Sequence, residues 1–468
     1  MTAGTAPQTV ETGDGAAPAD AALDVAGGGL PAGEQPSSGY RAVLSNRYFL
    51  LVWAAQVLSQ TAQNAVNYAL VVEVERLTHS STNVGWVIVS FSLPALLLGP
   101  PAGVFVDRVS KRGVLLWTNL LRCLLMGAYL LVPFASGRLL AIYGVTFAAS
   151  AVSQFFSPAE GAIIPLLVRR KDLIAATSLF NLTFTGAQVA GFVLLGPTLY
   201  KLIGAWPIFV AVVVMYALAA ACVALLPRRE TVTGTARQAA ARALQMRTVW
   251  ADMLEARRFL SLAPGVSLAI GHLALATALL MTLATLGPGF VARVLGLGAE
   301  DAGYVLAPAG LGMLLTTALL GHFAANADRR KLAGGGLMAM GISIAGLAVI
   351  RWGFNLLVSE LEGRGPGVMP VGLEVVYLGI VCAITFSLGV EFSCVTIPAQ
   401  TVVSEATEPH IRGRVFALLF MLTGTVSAIP VLIIGALADH LGIAQMLLAL
   451  AALVALAGLA TRRMKSEE

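Results

Sequence analysis

Beyond residue 40, long apolar runs alternate with short polar breaks. The runs fall near 48–72, 84–106, 113–133, 139–165, 174–201 and 206–226, and again near 262–290, 302–324, 332–352, 373–403, 412–437 and 440–461. Each is about 20 residues or longer, enough to cross roughly 30 Å of hydrocarbon at about 1.5 Å per residue. They lack the apolar-out, polar-in alternation of barrel strands, so helices are the backbone solution that lipid allows. The pattern predicts an all-α membrane protein with twelve transmembrane helices in two six-helix bundles. Residues 1–40 form a tail, 41–226 the first bundle, 227–261 a polar, basic linker, 262–461 the second bundle and 462–468 a closing tail.

Composition strengthens this reading. Only 12% of residues are charged and the mean hydropathy is +0.82, far from the balance of a soluble domain. The tail is rich in Ala, Gly and Pro with no Lys or Arg, and is predicted to be disordered. The net charge of +5 does not imply nucleic acid, because the cations fall in clusters between apolar runs. Of the 30 Lys and Arg, 23 lie in one alternate set of segments and six in the other, with Arg122 inside a span. That bias predicts a multi-pass protein of the cell (inner or plasma) membrane, in the lipid bilayer, with both termini and the linker cytoplasmic. Cys123, Cys222, Cys382 and Cys394 lie within apolar runs at spacings that suggest neither a metal site nor a disulfide framework.

The break after span 2 reads GVFVDRVSKRG from Gly103, and the break after span 8 reads GHFAANADRRK from Gly321. Aligned on the glycines, Lys111 and Arg112 match Arg329 and Arg330, while Asp107 meets Ala325. Gly103 lies one turn before Asp107 on the same helix face and would allow another helix close. Asp107 is placed to meet a neighbouring helix N-terminus or to pair with Arg108, Lys111 or Arg112. The stretch resembles motif A of the major facilitator superfamily, with Phe105 and Ser110 at the usual Leu and Gly positions. The run SPAEGAIIPLLVRRKDLIAATSLFN from Ser157, with IRGRVF from Ile411, resembles the branch of enterobactin exporters and macrolide efflux proteins. The superfamily resemblance implies the major facilitator fold. It also implies a gating role for Gly103, Asp107, Arg108, Lys111 and Arg112, with the acid latching the halves on the cytoplasmic side against the start of span 11, near Ile411–Arg414.

Span 1 carries five amides, Gln56, Gln60, Gln63, Asn64 and Asn67, within an arc of roughly 100° at helical spacing. Such a stripe would be costly against lipid, so it faces either neighbouring helices as hydrogen-bonding glue or a water-filled cavity. Cavity lining explains five amides better, and the resemblance places span 1 on the cavity. His272 in span 7 and Glu391 in span 10 are further binding candidates, Glu391 also as a proton or cation site. Arg122 in span 3 reads as a structural ion pair within the first bundle, and Glu160 in span 4 as a gate or loop contact. GFVLLGPTLYK in span 5 lacks the paired glycines of the superfamily's antiporter motif C.

No hydrolase, P-loop or zinc motif occurs, so the expectation is a transporter rather than an enzyme, with no cofactor and no metal. The expected activity is secondary active transport by alternating access, as proton-coupled efflux of an amphipathic small molecule. Uptake of a small metabolite and a transport-inactive receptor or scaffold are the alternatives. The small-molecule substrate and protons are the expected partners, and the chain is expected to be a monomer.

Overall fold

The computed structural model describes residues 39–131, 138–188, 191, 195–227, 264–323, 328–362, 371–406 and 430–463. These form a helical membrane protein. After a short turn, α1 (Tyr40–Leu44), come α2 (Arg47–Thr78), α3 (Ser81–Arg108), α4 (Lys111–Leu130), α5 (Arg138–Leu167), α6 (Leu173–Gln188), α7 (Gly196–Ile203) and α8 (Ala205–Ala224). The second half holds α9 (Pro264–Gly289), α10 (Ala302–Phe323), α11 (Arg329–Glu362), α12 (Val371–Ala406), α13 (Pro430–Leu441) and α14 (Ile443–Arg463). Nine helices among the described residues are long and apolar enough to cross a membrane.

Local chemistry sets the helix ends. Asn46 caps α2 by accepting from the amides of Tyr48 and Phe49, and Ser110 caps α4 through the Gly113 amide at 3.0 Å. His79, the residue after α2, takes a left-handed conformation (φ 48°) that turns the chain into α3. The predicted fifth span holds α6 and α7, with residues 189, 190 and 192–194 between them outside the described residues. Pro197 cannot donate an intrahelical bond, and Gly196 lies so close to Tyr68 that an added Cβ would meet its ring at 2.8 Å.

Helix ends meet on two opposite faces. On one, Asn46 Nδ2 donates to the Leu167 carbonyl (2.6 Å) and Arg112 Nη2 to the Ala224 carbonyl (2.7 Å). There too Arg329 pairs with Glu405, and Arg330 Nε donates to the Thr461 carbonyl (3.2 Å). This is the basic face. Asp172 lies here and accepts from the Gly39 amide at 2.9 Å. Burial opposes its charge, but the Gly39 amide and Arg169 outweigh it and hold the carboxyl below its usual range. The other face carries the ends of α2, α9 and α13 and the starts of α3 and α10.

Packing is densest within each half. One buried cluster joins α2, α3, α4, α5, α7 and α8, and reaches into the second half only through residues such as Ala299 and Val431. Another joins α9 to α14. In the second half α10 and α12 touch backbone to backbone. A Cβ on Gly389 would overlap the Ala309 carbonyl, and one on Gly312 the Phe386 carbonyl. Gly389→Leu is therefore expected to cost about 3 kcal/mol or more. It should lower the yield of monodisperse protein and the melting temperature, and an unchanged melting curve would show that the two helices can separate freely.

Candidate functional site

Among the described residues, bonds between the halves cluster on the face opposite the basic one. Asp439, near the end of α13, accepts four hydrogen bonds from the start of α3. They come from Ser80 Oγ (2.7 Å), the Ser81 amide (2.7 Å), the Thr82 amide (3.0 Å) and Thr82 Oγ1 (2.6 Å). A carboxylate on exposed amides at a helix N-terminus is favoured by both bonding and the peptide dipole. Arg293, just past α9, completes the knot. Its Nη2 donates to Ser81 Oγ (2.6 Å), its Nη1 lies 3.5 Å from Asp439, and its Nε lies 3.2 Å from Glu75 at the end of α2. Glu75 is fully buried, and this last contact is an ion pair off the hydrogen-bond direction.

A second seam lies beside the first. Tyr68 of α2 donates to the Glu300 carbonyl (2.6 Å) and accepts from the Gly303 amide (3.1 Å). Lys201 pairs with Asp301 (2.7 Å), and Tyr304 donates to Thr198 (2.9 Å). A Cβ on Gly303 would overlap the Pro197 ring, and one on Gly435 would meet the Ser81 carbonyl at 2.9 Å. Small residues and charges together seal this face.

Below the seal, the α2 stripe is divided. Gln56 is buried and donates to the Phe180 carbonyl of α6 at 3.2 Å. Gln63 Oε1 accepts from Ser153 of α5 and Tyr216 of α8, both at 3.1 Å, and Gln63 Nε2 donates to Asn67 at 3.0 Å. Gly191 packs against α2 at Asn64, where an added Cβ would meet that of Asn64 at 2.6 Å. Gln60 and Asn67 are half-buried. Some stripe amides therefore join helices of the first half, the hydrogen-bonding role weighed for them.

The other expected binders lie elsewhere. Glu391 accepts from Ser343 of α11 at 2.8 Å, with Ser387 3.1 Å from that hydroxyl. His272 Nε2 lies 2.9 Å from Thr461 of α14. The described partners of both are in the second half, and the structure does not bring them to the amide stripe. Of the gating candidates, Lys111 Nζ donates to the Val109 carbonyl (3.2 Å), and Arg112 holds the end of α8 as described. Arg108 ends α3 half-buried. A Cβ at Gly103 would meet nothing within 4 Å, so the close approach expected there is not made among the described residues. The Asp107 side chain and Ile411–Arg414 lie outside the described residues.

Arg122 is fully buried and makes no ion pair closer than 4 Å among the described residues. Its guanidinium lies 4.5 Å from the Phe156 ring centre and 5.6 Å from that of Tyr216. Glu160 is its electrostatic partner. The expectation of a structural ion pair at Arg122 thus gives way to a cation–π stack with a more distant acid. Sequence reasoning missed Glu75, Arg293 and Asp439. Their only signal was an acid or lone Arg at a span end, beside the Ser80-Ser81-Thr82 run suited to capping.

Comparison with known proteins places this geometry. Residues 52–368 match the family model described as the Major Facilitator Superfamily. The chain is 24% identical over 390 residues to an uncharacterized MFS-type transporter, YfiS, of Bacillus subtilis (strain 168), covering 82% of this chain and 85% of that one. Its fold is similar to the crystal structure of the nucleoside transporter NupG, with a TM-score of 0.68 at 13% identity over 89% of this chain and 100% of that one. It is also similar to a POT family transporter in complex with 5-aminolevulinic acid, with a TM-score of 0.62 at 11% identity over 91% and 97% of the two chains. The chain belongs to the Major Facilitator Superfamily.

Proposed function

We propose that this transporter exports an amphipathic small molecule by alternating access, driven by protons moving the other way. Its basic face lies in the cytoplasm, with both termini, by the distribution of Lys and Arg. The observation that carries the mechanism is the seal on the opposite face. It joins α2, α3 and α7 of one half to α9, α10 and α13 of the other through bonds that can break and re-form as a unit. The amide stripe lies beneath that seal and is the proposed substrate contact. Asp107, Arg108, Lys111 and Arg112 are the proposed cytoplasmic gate, closing as the outer seal opens. Efflux as the direction, and the branch of enterobactin exporters and macrolide efflux proteins, rest on the Ser157–Asn181 and Ile411–Phe416 runs.

Gln60 and Asn67 are half-buried and stand at the two ends of the stripe beyond buried Gln56. In a background with Cys123, Cys222, Cys382 and Cys394 replaced by Ser, Gln60→Cys and Asn67→Cys should react with a small maleimide. A transported compound should slow that reaction about fivefold or more, as expected for groups covered in a ligand site. Counterflow of ethidium and a library of amphipathic drugs in proteoliposomes supplies the compounds. Labelling indifferent to every transported compound would remove the stripe from the binding site. Accumulation indifferent to an imposed pH gradient would remove the protons.

A further inference from the structure

We propose that Glu160 carries the coupling proton, with Arg122 as its counter-charge and Tyr216 and Gln63 as the link to the amide stripe. This rests on the reading of the chain as a proton-coupled transporter, and it assigns the proton to the first half rather than to Glu391.

Glu160 lies on α5, seven residues or about 10 Å before the basic end of the helix. Its side chain is 7% exposed and Arg122 on α4 is 1% exposed. A purely structural buried pair should be closed, with every donor and acceptor used, because an uncompensated buried charge is costly. This pair is not closed. Among the described residues Glu160 Oε1 has no hydrogen-bond partner, nor has Arg122 Nε. The guanidinium instead stacks on Phe156 and lies 5.6 Å from the ring centre of Tyr216, itself fully buried. Tyr216 donates to Gln63, and Gln63 donates to Asn67. The guanidinium thus lies against the ring of the residue whose hydroxyl is bonded to the stripe.

Two arrangements of Arg122 follow from Coulomb attraction alone. With Glu160 ionised, the guanidinium is drawn from Tyr216 to the carboxylate. With a proton on the carboxyl that pull is gone, and the guanidinium keeps its place beside the Phe156 and Tyr216 rings as seen here. Tyr216 loses the cation beside its ring in the first arrangement and keeps it in the second, which alters its hold on Gln63. In the step itself, a carboxylate lone pair takes a proton from water on one face, and the O–H bond breaks to return it to water on the other.

The surroundings isolate the pair. Among the described residues, Arg122 from α4 is the charged group that acts on Glu160, and Tyr216 from α8 lies beside Arg122. The charges of α3 sit at its end, at 107 and 108. The charges of α2 lie at its two ends, and α6 carries none. Glu391 also has an oxygen without a partner among the described residues, but its bond comes from the Ser343 hydroxyl rather than from a cation.

Infrared titration of the reconstituted full chain tests this without a substrate. The carbonyl-stretch band of a protonated membrane carboxyl should be present in the wild type, lost in Glu160→Gln, and retained in Glu391→Gln and Glu160→Asp. A band that survives in Glu160→Gln overturns the assignment. With ethidium as the transport probe, Glu160→Gln should lose about tenfold or more of pH-driven accumulation while counterflow at equal pH stays within about twofold. Loss of both in monodisperse protein also overturns it, since the residue would then be structural. A wild type that shows the Glu160 band but ignores the pH gradient would instead defeat proton coupling and leave the site standing.

Discussion

Asp439→Ala is expected to open the sealed face and to lower transport about tenfold or more. The carboxylate is a single acceptor for four donors at the start of α3 and lies 3.5 Å from Arg293. Removing it leaves the Ser81 and Thr82 amides and the Arg293 guanidinium short of a partner where the halves meet. Charge-assisted hydrogen bonds contribute about 1.5–3 kcal/mol each, less where water can replace the lost partner. Even one such loss, about 3 kcal/mol, moves a two-state equilibrium by a factor of about 100. Arg293→Ala acts from the other side, by leaving fully buried Glu75 without its cation, a change that costs about 3–5 kcal/mol in buried pairs. Both variants should raise the reactivity of Gln63→Cys toward an impermeant maleimide added on the sealed face. Because the two residues share one knot, the double variant should add little to either single one. Labelling and transport equal to the parent in both variants would falsify the gate.

The contrast between this knot and the spans shows what the sequence can carry. Span positions depend on local apolar length, so α8 at Ala205–Ala224 and α9 at Pro264–Gly289 fall within a few residues of the runs near 206–226 and 262–290. The knot is different in kind. Glu75, Arg293 and Asp439 lie more than 140 residues apart in sequence, and nothing in spacing tells which helix ends will meet. The stripe on α2 stands between these cases. Its period fixed one face, but period alone cannot say whether that face meets water or the Phe180 carbonyl and the Tyr216 hydroxyl. Arg122 and Glu160 were each visible as costly residues. Their relation was not, because it joins two helices whose packing spacing alone does not give.

The seal also has a steric requirement, and Gly303→Leu should violate it with the largest functional effect. Gly303 opens α10, gives its amide to Tyr68 at 3.1 Å, and lies so close to Pro197 that even a Cβ would overlap the ring. Proline cannot rotate out of the way, since its side chain is closed on the backbone. Leucine at 303 therefore forces α10 away from α7, and these helices belong to opposite halves. The contact between α10 and α12 at Gly312 and Gly389 lies deeper in the second half and is untouched, so the fold should survive. That distinguishes this variant from Gly389→Leu, where the clash lies within one half and the fold itself suffers. Gly303→Leu should give monodisperse protein locked with the sealed face open. Gln63→Cys should then label readily from that face, and transport should fall about 100-fold, as for any lock that removes one of two alternating states. Adding Pro197→Gly deletes the opposing ring and should restore part of the activity, a non-additivity expected only if the two residues meet during the cycle. Full transport by Gly303→Leu alone would mean that the halves close elsewhere than at Pro197 and Tyr68.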